Sequence, residues 1–318
     1  MKLLSTFSAA LVITLAVSAC SRNNIEAVNL AIEGDKEKNS NIDAAISKYE
    51  QATNLDPTNH RILWKLTLAY WKKERWSDVA ATCAKAERLA PKHANYFAYH
   101  GMALARQAEK GPTGWADAKG PLEEALKLDA NLADAHFELA EVLLHLDDEA
   151  GALRSYHQAI ETKPDQISFY GPLIDLYVRL GFLDEGEKVA REGLAFAAPG
   201  DKALFTVHSL LGDILDKKGK SGEAMEEYVK AKEACGKCTE PGQQIAFFNL
   251  GAAYASAQPP RKSEAMQVWR RLCSMTPARA STRMIDRLAV EAPVTILRVY
   301  WTWPGVSAMM NLRRGVAK

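Results

Sequence analysis

The chain has 318 residues, 47% of them hydrophobic and 25% charged, and its 40 basic side chains nearly balance 39 acidic ones. This is the composition of an ordinary folded chain, and the near-neutral balance excludes nucleic-acid binding through bulk charge, leaving only a local basic patch for that purpose. With 19 Gly and 13 Pro there is punctuation for many short helices and no sign of a disordered or collagen-like class.

Residues 1–19 read as a secretory signal. Lys2 precedes an apolar run from Leu3 to Val17, relieved only by small hydroxyl residues, and small residues follow up to Cys20. The run is too short for a comfortable transmembrane span. Val17-Ser18-Ala19-Cys20 resembles the bacterial lipobox, and that resemblance implies that Cys20 carries a diacylglyceryl group and begins the mature protein. The alternatives are an ordinary signal with an accidental cysteine, or a buried N-terminal helix. Residues 20–24 then read as a lipid-anchored tether. Ser21 follows the cysteine where Asp does not, which by resemblance to enterobacterial lipoproteins implies the outer membrane, on its periplasmic face.

From residue 25 to residue 277 the chain repeats with a period of about 34 residues. Ala45, Tyr49, Ala52 and Pro57 return as Ala152, Tyr156, Ala159 and Pro164, about three periods later. Leu66, Tyr70, Ala86 and Pro91 fit a second unit. Gly101, Leu104, Ala118, Leu122 and Ala125 fit a third, with extra residues between its helices. A weaker fifth unit has Tyr170, Leu173, Tyr177, Ala190 and Gly193, a sixth has Leu211, Gly212, Ala224, Tyr228 and Ala231, and a seventh has Leu250, Gly251, Tyr254, Ala265, Trp269 and Pro277. Val79, Cys83, Gly186 and Leu272 depart from the pattern. Small residues at fixed places let paired helices approach, the aromatic fills the gap beside them, and Pro stops the second helix.

This pattern resembles the tetratricopeptide repeat (TPR). The resemblance implies an all-α fold: a right-handed superhelical solenoid of about seven TPR helix pairs, each pair covering the apolar face of the next. Residues 278–292, with Met284, Ile285, Leu288 and Val290 among charged side chains, read as an amphipathic C-terminal capping helix ended by Pro293. Residues 293–318 form an apolar and basic tail with Trp301 and Trp303. It either caps the last pair or lies on an anionic membrane leaflet or an acidic partner.

In the tetratricopeptide family the first helix of each pair lines a concave groove, and the family's groove positions fall here on Arg61, Trp64, Leu68, Trp71 and Lys72, then on Met102 and Arg106, then on Phe137 and Leu144. These residues either bind a partner or pack one helix on another, since aromatics at helical spacing serve both ends. The Lys and Asn positions of the family's carboxylate clamp are absent.

Cys235 and Cys238 lie in a turn without the strand-to-helix setting of a redox pair, and no second ligand pair suggests zinc. A structural disulfide joins them to each other or joins one of them to Cys273, while Cys83 reads as a buried thiol. No H-E-x-x-H, G-x-S-x-G or phosphate-binding glycine loop occurs. The expectation is therefore no enzyme, catalytic residue, metal or cofactor, and a protein or peptide partner in place of a small-molecule substrate or nucleic acid. The reading is a membrane-anchored periplasmic scaffold, and its rival is a structural spacer in a large envelope complex such as pilus, secretion or cell-wall machinery.

Overall fold

A computed structural model describes residues 22–111, 114–236, 238 and 245–275. The signal segment, Cys20, the expected capping helix at 278–292 and the tail at 293–318 lie outside the described residues. All the regular structure among them is helical, and α1 covers residues 22–37, so residues 22–24, expected as part of a tether, already belong to it. There follow α2 (Ile42–Leu55), α3 (His60–Lys72), α4 (Trp76–Leu89), α5 (Ala94–Ala108), α6 (Trp115–Leu128), α7 (Ala133–His145) and α8 (Glu149–Thr162). A 3-10 turn (Ile167–Phe169) leads into α9 (Tyr170–Leu180), α10 (Leu183–Phe196), α11 (Leu204–Lys217), α12 (Ser221–Ala234), α13 (Ile245–Ser256) and α14 (Lys262–Met275).

Local chemistry sets the ends of these helices. Asn41 accepts from the Ala44 amide at 3.1 Å to start α2, and Asn59 accepts from the Ile62 amide at 3.4 Å to start α3. Asp148 does the same for α8 through the Gly151 amide at 2.8 Å. Gly181 closes α9 in the left-handed conformation, at φ 83°.

The described residues form two compact units, one up to Ser155 and one from Tyr156, with the division inside α8. In the first, each helix from α2 to α7 packs on the next, and α5 also touches α7. In the second, the same ladder runs from α9 to α14, with α9 also touching α11. Contact with the next helix and the next but one is what stacked hairpins require.

The repeat positions are the core. Ala45, Ala52, Ala86, Ala118, Ala125, Ala190 and Ala231 are all 0% exposed. The glycines are where a large neighbour lies flat: a Cβ on Gly101 would stand 2.5 Å from Leu122, and one on Gly34 would stand 2.6 Å from the Tyr49 ring. In the second repeat Thr67 and Cys83 fill this pair of places, both fully buried, and burial pushes the Cys83 thiol up to about 12. The fifth repeat exchanges the sizes. Ile174 stands where a small residue is usual and Ala190 where an aromatic is, both fully buried, and a Cβ added to Gly193 on α10 would stand 2.7 Å from the Tyr170 ring. The pair is thus a compensated swap of volume.

Candidate partner-binding face

Helix α3 carries two different faces within the set of expected groove residues. Trp64 and Trp71, seven positions apart, both turn toward Tyr99 on α5. Trp64 meets Tyr96 and Tyr99 edge-on at centroid distances of 5.4 and 4.9 Å, and Trp71 meets Tyr99 at 4.8 Å and Trp76 at 4.9 Å. Both indoles are half-buried, so much of their surface is spent on inter-helix packing.

The other face is open. Arg61, Lys65, Leu68 and Lys72 recur at helical spacing. Arg61 and Lys72 are exposed, and Leu68 keeps 40% of its surface in water. Beside them α1 and α2 leave a cleft of about 180 Å³, to which Lys65, Leu68 and Lys72 contribute from α3, Asp35 and Lys38 from the α1 side, and Ile42 from α2. Asp35 is consumed there: it pairs with Lys65, accepts from the Tyr49 hydroxyl at 2.8 Å, and lies 4.0 Å from Lys38. Lys72 donates to the Lys38 carbonyl at 3.1 Å, and no ion pair of Lys72 occurs among the described residues.

Farther along the first unit the expected set divides again. Met102, expected to anchor a partner, is only 8% exposed; it points into the packing of α5 and offers a partner almost nothing. Phe137 and Leu144 are half-buried on α7. Arg106 bridges α5 to α7 through Glu138 at 3.0 Å, and also holds Glu109 at 2.6 Å. Glu138 is 4% exposed at its side chain. Burial pushes its carboxyl up to about 7 against the pull of Arg106, with Glu141, Glu109 and Asp134 adding like charge.

Three histidines make polar links between helices. His100 meets Glu87 at 2.8 Å, His208 meets Glu227 at 2.6 Å, and His157 meets the Tyr177 hydroxyl at 2.7 Å. Cys235 and Cys238 are bonded to each other across Cα atoms 5.1 Å apart, and Cys238 is buried beside Phe247 and Trp269. The side chain of Cys273 lies outside the described residues. Among the described residues there is no cluster of three His, Cys, Asp or Glu able to hold a metal, and no helix long and apolar enough to cross a membrane.

Three repeat-family models match the chain: a TPR repeat at residues 38–74, and tetratricopeptide repeats at 113–167 and 206–238. The chain is a tetratricopeptide-repeat protein. No curated protein sequence matches it. Among solved structures, the C-terminal part of a TPR repeat-containing protein from Cytophaga hutchinsonii is 16% identical, covers 80% of this chain and 98% of its own, and superposes with a TM-score of 0.60. PilW, described as a widely conserved type IV pilus biogenesis factor, is 14% identical over 65% of this chain and 92% of its own, at a TM-score of 0.52. MamA is 26% identical over 51% of this chain and 93% of its own, at 0.47. These likenesses concern the fold.

The tetratricopeptide register alone missed Lys65, Asp35 and Ile42. Lys65 precedes Leu68 by three and Lys72 by seven, so helical spacing alone would have placed it on the open face. Asp35 and Ile42 reach the cleft only through the α1–α2 turn, a relation that no spacing in the sequence expresses.

Proposed function

We propose that this TPR protein is a non-enzymatic scaffold, anchored through lipidated Cys20 to the periplasmic face of the outer membrane, whose groove binds a peptide or an envelope protein. The single observation that carries the binding part is the division of labour on α3. Repeat positions such as Leu63 and Leu66 are buried in packing, while Arg61, Leu68 and Lys72 stay exposed beside a cleft. An exposed aliphatic residue among cations, on a rigid element, is how an interaction surface is built. The family supports the reading, being typically a non-catalytic scaffold. The anchor rests on Val17-Ser18-Ala19-Cys20.

The test uses a photo-crosslinking side chain placed at Leu68, or at exposed Arg88 on α4, in the full-length protein in cells. A crosslinked partner from position 68 and none from 88 supports groove binding. Crosslinks from 88 alone would favour the rival reading, a structural spacer touching its complex through the second helices. For the anchor, Cys20→Ser should move the protein out of the membrane fraction, and continued sedimentation with membranes would sink the lipid reading.

A further inference from the structure

We propose that the cleft between α1, α2 and α3 receives an acidic segment of a partner protein, with one aliphatic side chain seated on Leu68 and Ile42 and flanking carboxylates held by Lys72 and Lys38. This rests on the scaffold reading above and deepens it by giving the partner a chemistry.

Charge and shape carry the argument together. Three lysines and one aspartate line the cleft, and the aspartate is already satisfied by Lys65 and Tyr49. The positive surplus therefore faces outward. Arg61 extends it along the same face of α3, exposed and one turn before Lys65. Lys72 has only a backbone carbonyl as acceptor, and a neutral acceptor is a weaker partner for an ammonium than a carboxylate is. Between these cations the floor is apolar: Leu68 is 40% exposed, Ala69 is buried, and Ile42 is partly buried. Its volume, about 180 Å³, takes one aliphatic side chain and no more than a short stretch beside it. The floor is also stiff. Gly34 lets the Tyr49 ring lie against α1, and the Tyr49 hydroxyl is fixed on Asp35, so the walls are set before a partner arrives. A basic partner would meet repulsion here, and a purely apolar one would leave the lysines without anions.

The test is selection from a random peptide library on the full-length protein, followed by measurement of the enriched peptides on variants. Enriched sequences should carry an aliphatic residue between Asp or Glu residues, and their affinity should fall as ionic strength rises. Lys72→Glu should weaken them by about tenfold or more, and Leu68→Ser by a similar factor. Both sites are exposed, so unchanged thermal melts will certify that the variants fold. Enrichment of basic or uncharged peptides, no enrichment over the Lys72→Glu protein, or stronger capture by phosphatidylglycerol vesicles than by the peptides would each overturn the inference. Acidic peptides that bind Lys72→Glu unchanged would remove this cleft while leaving the scaffold reading intact, because that reading is decided by crosslinking.

Discussion

Tyr228 on α12 lies so close over Gly212 on α11 that a Cβ added to the glycine would stand 2.5 Å from the ring. The ring is 5% exposed and its hydroxyl donates to Asp213 Oδ1 at 2.9 Å, so it has no easy way to withdraw. Replacing a helical glycine by alanine ordinarily gains up to about 1 kcal/mol. Overpacking costs about 1–3 kcal/mol, and here it wins. Gly212→Ala should lower the unfolding midpoint. Gly222→Ala, on α12 with nothing within 4 Å of the added carbon, should leave it unchanged or raise it slightly. Equal midpoints in urea for the two variants would show that the close approach is not what holds the hairpin.

Such small-against-large pairs are why the hairpins were legible in the sequence. Gly212 with Tyr228, and Gly251 with Trp269, repeat a fixed relation between two helices of one unit, and a fixed relation leaves a period. In the fifth unit Ile174 and Ala190 exchange volumes across the same pair of places, a relation between two helices that matching one residue at a time does not express. The binding face was only half legible. Register assigned Trp64 and Trp71 together with Leu68 and Lys72, yet their bearings around α3 differ enough to send the indoles into Tyr99 and the lysine into the cleft. Met102 was misplaced for a related reason: the register fixes a direction, whereas burial depends on what the neighbouring hairpin puts there.

That division predicts different losses. Trp64→Ala removes a half-buried indole from between Tyr96 and Tyr99 and should cost about 2 kcal/mol of stability, with a matching change in near-ultraviolet circular dichroism. Leu68→Ser alters a side chain that keeps 40% of its surface in water and should cost less, under about 1 kcal/mol. A Trp64 variant as stable as wild type would mean that the aromatic cluster is a surface and not a joint.

Glu187 on α10 ties two repeats together in the second unit. Lys218, following α11, donates to it at 2.7 Å, and Arg191 donates at 2.8 Å. These bonds, Lys218's first, hold its carboxyl down at about 2 against an ordinary 4.5. A lowered folded-state pKa contributes stability that is complete above about pH 4.5 and is lost as the pH falls toward 2. Solvent at the site screens the gain, so Glu187→Gln should cost on the order of 1 kcal/mol at neutral pH. The wild-type advantage should shrink through that acid window in pH-dependent melts. An advantage that persists at pH 2 would assign the effect to packing.

Glu138 on α7 has the opposite sign. Its side chain is 4% exposed, and Arg106 at 3.0 Å must also serve Glu109, so the pull of one shared guanidinium does not offset the cost of burying the charge. The carboxyl is raised to about 7 from an ordinary 4.5. Below about pH 4.5 it is protonated whether the chain is folded or not, and it contributes no pH dependence. Between about 4.5 and 7 the folded chain keeps a proton that the unfolded chain has given up, so stability falls as the pH rises through this window and levels off above it. The total is at most about 3 kcal/mol. Glu138→Gln keeps the shape and a hydrogen-bonding oxygen for Arg106 but cannot ionise. Its stability relative to wild type should therefore improve steadily from pH 4.5 to 7, whatever the absolute offset caused by losing the carboxylate. A constant difference across that range, measured by urea titration at each pH, would place the Glu138 carboxyl at its ordinary value and make the Arg106 bridge a fully charged pair.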